Sequence, residues 1–342
     1  MRQDTSPNLS RRVRSLLALA FLVSLPMLVY GSETTDACVD FERTIKSTYD
    51  FRPALLSDSE RNKKSAAMDK VWTAVKSRQI ELLPCLRKAL ADPQANNWFG
   101  FDGSNLLVSL DPSRSSKVEQ LRNYSNVNLD DVDLRLWVST LSQLGAEGFD
   151  VSGPGERWLS SSNATYFLPE HGALQVDKFL GAIFIFGSMD ETQATPALLR
   201  IAGLADHPGR EIALSLLLMQ ATPEAIRGLK SIDQSKLAPR AQAILRDHLD
   251  RPQLVTKRES PKTSREQFLK AFTAFVSGDR MPFATLVSQV PDGERDVVAV
   301  LKPEDLPLVR KVRRLMIANA NQHAAEYYVD FTKIIATLIS QP

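Results

Sequence analysis

The sequence TPALLR at residues 195–200 returns as TPEAIR at residues 222–227, a displacement of 27 residues from Thr195 to Thr222. An apolar run at helical spacing precedes each copy. Threonine is favoured at a helix N-cap and proline at the first helical position, so each copy predicts the start of a helix. A helical hairpin repeated along the chain is typical of an α-solenoid, in which each repeat packs on its neighbours.

The rest of the chain also favours helices. We find no sustained alternation of apolar and polar residues, and apolar side chains recur at spacings of three and four, as at Met68, Val71 and Val75. Capping boxes at residues 57–60 and 264–267 predict two further helix starts. The sequence therefore predicts an all-α fold.

Changes in composition and the positions of Gly and Pro divide the chain into six predicted segments. They are a signal peptide (1–31), an N-terminal helical block with degenerate repeats (32–147), a loop rich in Gly, Ser and aromatic residues (148–172), helical repeats (173–250), a linker (251–263) and a C-terminal helical domain (264–342).

The first segment has the pattern of a secretory signal. Arginines at positions 11, 12 and 14 precede the mainly apolar run 16–30, and Gly31 supplies a small residue for cleavage. We expect a periplasmic or secreted protein with no stable membrane span once the signal is removed. The alternative is an uncleaved N-terminal membrane anchor.

The basic balance of the chain comes largely from this segment. The whole chain has 42 Lys and Arg against 40 Asp and Glu, and residues 1–31 hold four Arg and one Asp. The remainder has 38 basic and 39 acidic residues, a formal charge of −1. Charge therefore indicates neither a nucleic-acid partner nor an anionic membrane.

The chain has two cysteines, Cys38 and Cys85. An exported protein matures where thiols oxidise, so we predict a disulfide between them. The alternative is a redox or metal-binding thiol pair, but the sequence has no C-x-x-C motif and no histidine near either cysteine.

One stretch carries a family resemblance. Around residues 205–226, Asp206, Pro208, Arg210, Pro223 and Glu224 occupy places comparable to those of a HEAT-type repeat, and the similarity is clearest over 179–249. The stretch resembles the HEAT-like α-solenoid family. This resemblance implies a right-handed stack of antiparallel helical hairpins, followed here by a C-terminal helical block.

Three arginines are candidates for binding a partner. Arg200 and Arg227 occupy the same place in the two copies, and Arg87 lies in a weaker match. One interpretation is a row of guanidinium groups that binds an acidic peptide through charge-assisted hydrogen bonds. The alternative is that each arginine is solvated or paired locally.

Three aromatic residues of the predicted loop, Trp158, Tyr166 and Phe167, either anchor a partner or lie buried beneath the loop. The four histidines form no close metal-binding pair, and no nucleotide-binding or nucleophile motif is present, so we expect neither metal nor cofactor.

Two functions remain as hypotheses. The first is an exported noncatalytic scaffold or adaptor that binds a protein or peptide on its helical-repeat surface. The second is a secreted helical enzyme that acts on a glycan or cell-wall polymer through carboxylates such as Glu156 or Glu170.

Overall fold

The computed structural model describes residues 33–50, 57–92, 97–161, 165–166, 176–220, 222–237, 254–283, 293–319 and 324–341, together with 239, 242, 243, 245, 246 and 286. The predicted signal peptide lies outside these residues. The chain forms two compact units, divided between Ser116 and Lys117.

The first unit contains α1 (Glu33–Thr48), α2 (Asp58–Ser77), α3 (Gln79–Ala91) and α4 (Asn97–Leu110), and α5 (Arg114–Asn126) crosses the division. The predicted capping box at the start of α2 is confirmed. The Ser57 hydroxyl accepts from the Glu60 amide, and the Glu60 carboxylate accepts from the Ser57 amide at 3.0 Å. α1 packs on α2 and α3, and α3 packs on α4.

A disulfide between Cys38 and Cys85 joins α1 to α3, with the two Cα atoms 5.0 Å apart. This confirms the predicted bond. The buried core around it includes Phe41, Ile45, Tyr49, Val71, Val75, Leu82, Leu86, Leu90, Phe99, Leu106 and Leu107. A unit of this size buries a small core, and the covalent bond between two of its helices adds to the stability.

The second unit continues with α6 (Leu134–Ala146), α7 (Ser152–Ser160), α8 (Lys178–Gly187), α9 (Glu191–Gly203), α10 (Arg210–Gln220), α11 (Pro223–Ser231), α12 (Arg265–Val276), α13 (Gly293–Val300), α14 (Leu306–Ala318) and α15 (Ala324–Ile339). Short 3-10 helices cover Leu129–Asp131, Gln234–Lys236 and Pro303–Asp305. Strands β1 (Thr165–Tyr166) and β2 (Val176–Asp177) form one antiparallel pair.

Helix α8 lies at the centre of this unit. Its sequence, KFLGAIFIFG, is apolar on nearly all sides, as expected for a helix that is surrounded by others. It contacts α6, α7, α10, α14 and α15. The C-terminal helices α14 and α15 therefore pack against elements that are far away in sequence.

Helices α7 and α8 fit together through two glycines. A Cβ atom on Gly155 of α7 would lie 2.6 Å from Cζ of Phe186, and one on Gly181 of α8 would lie 2.5 Å from Cζ2 of Trp158. Each glycine therefore leaves the space that an aromatic ring of the other helix fills.

Replacing Gly155 with alanine is expected to lower the free energy of unfolding by about 1–3 kcal/mol, because the new methyl group overlaps the Phe186 ring in a packed core. Gly153 is the matched control, since a Cβ there meets no atom within 4 Å. Gly153→Ala should not lower the free energy of unfolding, because alanine is the better helix former. Urea denaturation followed by circular dichroism measures both variants. Equal stability of the two would contradict this account of the packing.

The all-α class is confirmed, with the β1–β2 pair as a small addition among the described residues. The HEAT-like stack is not confirmed. Helices α9, α10 and α11 contact one another in order, as repeats do, but α8 contacts helices from both ends of the unit. A solenoid repeat contacts only its neighbours, so this unit has a central helix that the solenoid prediction lacked.

The two TP copies begin their helices differently, which corrects one prediction. Thr222 is the N-cap of α11 and accepts from the Ala225 amide at 3.1 Å, as predicted. Helix α9 instead begins at Glu191, because Asp190 upstream caps it. Thr195 is buried within α9, and its hydroxyl donates to Gln220.

The predicted loop 148–172 is also corrected, since residues 152–160 form α7. Gly148, at φ 91°, ends α6, and the Phe149 amide donates to the Leu144 carbonyl across the turn. The segment SGPGERWLS has weak helix propensity because it contains two glycines and a proline. Burial of Trp158 and Leu159 stabilises the helix where propensity does not.

Residues 254–263, the described part of the predicted linker 251–263, form neither helix nor strand but make hydrogen bonds to helices. The Val255 amide donates to the Thr337 hydroxyl at 2.8 Å, and the Lys262 amide donates to the buried Asp296 carboxylate at 2.6 Å. Arg258 forms an ion pair with the same carboxylate. This segment is therefore held against α13 and α15. The other predicted segment boundaries stay predictions.

Candidate functional site

Each predicted arginine lies in an ion pair with a carboxylate of its own unit. Arg87 pairs with Asp111, Arg200 pairs with Glu156, and Arg227 pairs with Glu224 at 2.8 Å. Arg87 also donates to Ser116 at 2.7 Å. Binding of an acidic partner by these arginines stays a prediction, and such a partner would have to compete with the carboxylates already present.

Of the three aromatic candidates, the structure describes the side chain of Trp158. Trp158 is fully buried, its indole N–H donates to the Lys178 carbonyl at 2.9 Å, and its ring lies 6.2 Å from that of Trp137. Trp158 therefore agrees with the interpretation in which these rings lie buried. Tyr166 lies in β1 opposite Val176, and Phe167 lies outside the described residues.

The carboxylates proposed for glycan hydrolysis do not form a described pair. Glu156 is in the ion pair with Arg200, and Glu170 lies outside the described residues. In the part of the chain that the structure describes, no group of three or more His, Cys, Asp or Glu side chains could hold a metal ion. Nor is any helix in that part long and apolar enough to cross a membrane.

One pair resembles a catalytic dyad but has the wrong hydrogen-bond direction. The Ser160 hydroxyl lies 3.0 Å from His207 Nε2, and His207 Nδ1 accepts from the Gly209 amide at 3.0 Å. The neutral imidazole therefore carries its proton on Nε2, which donates to Ser160. A general base must instead accept from the serine, so the pair stabilises the turn before α10.

The first unit contains a different candidate, a cavity of about 870 Å³ lined by α1, α3 and one residue of α4. We call this cavity the α1–α3 groove. Its apolar surface is formed by Ile45, Tyr49, Ala89 and Phe99. The volume falls within the range of about 300–1,000 Å³ that is usual for ligand sites.

Two helices, α2 and α4, fix the position of Tyr49 in this groove. Oδ2 of Asp102, on α4, accepts from the Tyr49 hydroxyl at 2.5 Å and from the indole N–H of Trp72, on α2, at 2.8 Å. The Tyr49 ring meets the Phe99 ring edge to face, with centroids 5.1 Å apart. With its hydroxyl engaged with Asp102, Tyr49 is only 2% exposed and forms part of the buried base of the groove.

The Asp102 carboxyl lies in a partly desolvated place. Burial raises its pKa, and the hydrogen bonds from Tyr49 and Trp72 oppose that rise. Burial and the nearby Asp102 also raise the pKa of Tyr49, so its hydroxyl stays a donor at neutral pH. Hydrogen bonds to Asp102 therefore hold Tyr49 and Trp72 in place beneath the groove.

The charged rim of the groove contains both paired and unpaired groups. Lys88 of α3 pairs with Glu42 of α1 at 2.7 Å. Lys46 and Asp50 also line the groove and are exposed, and neither forms an ion pair or a hydrogen bond with another described residue. Among the described residues of the rim, Lys46 and Asp50 are thus charges without an ion-pair partner, whereas Asp92 has a partner.

Sequence reasoning missed this groove because its walls come from two separate stretches, 42–50 and 88–92, that carry no motif. One feature of the sequence does indicate where the groove lies. The predicted bond between Cys38 and Cys85 implies that the residues one turn beyond each cysteine lie close together, and these residues begin the two walls.

The HEAT-like resemblance stays a prediction. Comparisons of this chain with protein-family models, with curated proteins and with solved structures find no match.

Proposed function

We propose that this protein is an exported, noncatalytic binding protein that holds a peptide segment of a protein partner in the α1–α3 groove. The observation that carries this proposal is a groove of about 870 Å³ whose rim has exposed side chains of both charges, Lys46 and Asp50. Peptide segments carry side chains of both charges, which such a rim can pair with.

Export is the second part of the proposal. The Cys38–Cys85 disulfide fits an oxidising compartment, because cytosolic thiols are kept reduced. The predicted signal peptide supports the same location, periplasmic or secreted, and an N-terminal membrane anchor is the alternative. The second unit then serves as a helical scaffold, with α9–α11 as its repeat-like part.

A library of random peptides displayed on phage, selected on the immobilised protein, tests this function. Ala91 is exposed and lines the groove, so Ala91→Trp should fill it. Ala66 is exposed on α2 and does not line the groove, so Ala66→Trp is the matched control. We expect selected peptides that bind the wild type and Ala66→Trp but not Ala91→Trp.

The outcome that contradicts the function is equally specific. Selected peptides that bind Ala91→Trp as well as the wild type would place binding elsewhere. If no peptide is enriched over an unrelated immobilised protein, the groove has no peptide-binding role.

A further inference from the structure

We infer that the second unit binds a small monovalent anion, chloride, where helix α14 meets the start of helix α9. Three arginines of α14, Arg310, Arg313 and Arg314, are spaced so that they lie on one face of the helix. That face pairs with the two carboxylates that begin α9. The site belongs to the second unit alone, so the inference does not depend on the proposed function.

The arginines outnumber the carboxylates that pair with them. Arg313 lies 2.5 Å from the Glu191 carboxylate, and Arg310 lies 3.7 Å from it. Arg314 pairs with Asp190. Among the described residues, these two carboxylates are the acidic partners of the three arginines. Since a guanidinium group keeps its charge at neutral pH, the group carries one excess positive charge. This excess attracts an anion, although the two carboxylates weaken the attraction.

The arginines also have buried donors that no protein group accepts from. The Arg313 side chain is 1% exposed, with Nη2 at Glu191 and Cζ 5.6 Å from the centroid of the Tyr328 ring. Its Nε and Nη1 are buried and make no hydrogen bond, and the same holds for Nε of Arg310 and of Arg314. A buried N–H without an acceptor is costly, so these nitrogens require a bound acceptor.

The excess charge and the burial together select the ligand. A water molecule can accept hydrogen bonds from these nitrogens, but it leaves the excess charge uncompensated in a buried place. A sulfate ion is larger and brings two negative charges where one is needed. Chloride is small, monovalent and accepts from N–H donors. Arg310 is 32% exposed, so the ion can enter from its side.

Urea denaturation at constant ionic strength, followed by circular dichroism, tests the inference. Sodium chloride is compared with sodium gluconate, whose anion is too large for a buried site. An ion that binds only the folded protein stabilises it. The urea midpoint should therefore rise by about 0.5–1 M once chloride is tenfold above its dissociation constant. The rise should level off at higher chloride, as expected for one saturable site.

Arg310→Gln tests the charge argument. This substitution removes the excess charge and keeps the pair between Arg313 and Glu191, so the difference between chloride and gluconate should be lost. Arg310 is partly exposed, and circular dichroism of the variant checks that the fold is retained. Arg227→Gln is the matched control, because Arg227 is an exposed helical arginine in an ion pair, and it should respond to chloride as the wild type does.

Crystals grown in sodium bromide locate the ion directly. Bromide replaces chloride and scatters anomalously, so a peak should lie at hydrogen-bond distance from the Arg313 guanidinium group. Equal midpoints of the wild type in chloride and gluconate would overturn the inference and assign the buried donors to water. A chloride response that Arg310→Gln retains would also overturn it, as would a bromide map without a peak beside Arg313.

Discussion

Replacing Arg313 with alanine is expected to lower the free energy of unfolding of the second unit by about 3 kcal/mol, because it removes the nearer of two cations at a buried carboxylate and leaves only Arg310, at 3.7 Å. Arg313 of α14 is 1% exposed and lies 2.5 Å from the Glu191 carboxylate, which is itself largely buried at the start of α9. The guanidinium also lies over the Tyr328 ring at 5.6 Å. The single substitution therefore removes an ion pair and a cation–π contact.

Arg227→Ala is the matched control, because Arg227 is also a helical arginine in an ion pair but is well exposed, as is its partner Glu224. Exposed pairs contribute little, so this variant should remain close to the wild type. Urea denaturation measures both. The double variant Arg313→Met with Glu191→Leu should lose less than Arg313→Ala, since no buried charge is left alone. The explanation fails if Arg313→Ala is as stable as the control.

Replacing both Cys38 and Cys85 with alanine is expected to destabilise the first unit by about 4 kcal/mol. The disulfide joins two residues that are 47 apart in sequence. Without it, the unfolded chain regains the conformational freedom that the bond removes, which favours unfolding. Since both cysteines belong to the first unit, the second unit should keep its stability.

Hydrogen exchange followed by mass spectrometry resolves the two units. Amides of α1 and α3 should exchange faster in the double variant, whereas those of α8 should exchange at the wild-type rate. Wild-type protein treated with a reductant is the control and should reproduce the variant once the bond is reduced. Unchanged exchange in α1 and α3 would show that the bond does not stabilise the unit.

Features that depend on residues close together in the sequence were predicted correctly. The capping boxes at Ser57 and Ser264 form as expected, because each needs only residues three apart. Val71 and Val75 are buried, because their helical spacing places both side chains on one face of α2. The disulfide followed from cysteine count and compartment, although the sequence could not show which helices it would join.

The sequence did not predict the features for which two local structures compete and tertiary contacts decide between them. Asp190 and Thr195 are both good cap residues, and which of them starts α9 depends on burial of Thr195 against Gln220. Helix α7 forms because Trp158 and Gly155 fit α8, although its sequence favours a loop. The buried Glu191–Arg313 pair joins α9 to α14, and no local pattern indicates a contact over that distance.

The sequence by itself determined the helical class and several helix starts, since periodicity and capping depend on residues close in sequence. It also determined the disulfide, since the chain has only two cysteines. Only the tertiary structure decided that α8 is surrounded, that the TP copies begin differently and that the α1–α3 groove exists. The physical reason is the same in each case. Burial depends on which helices meet, and in this chain the decisive contacts join segments that carry no signal of one another.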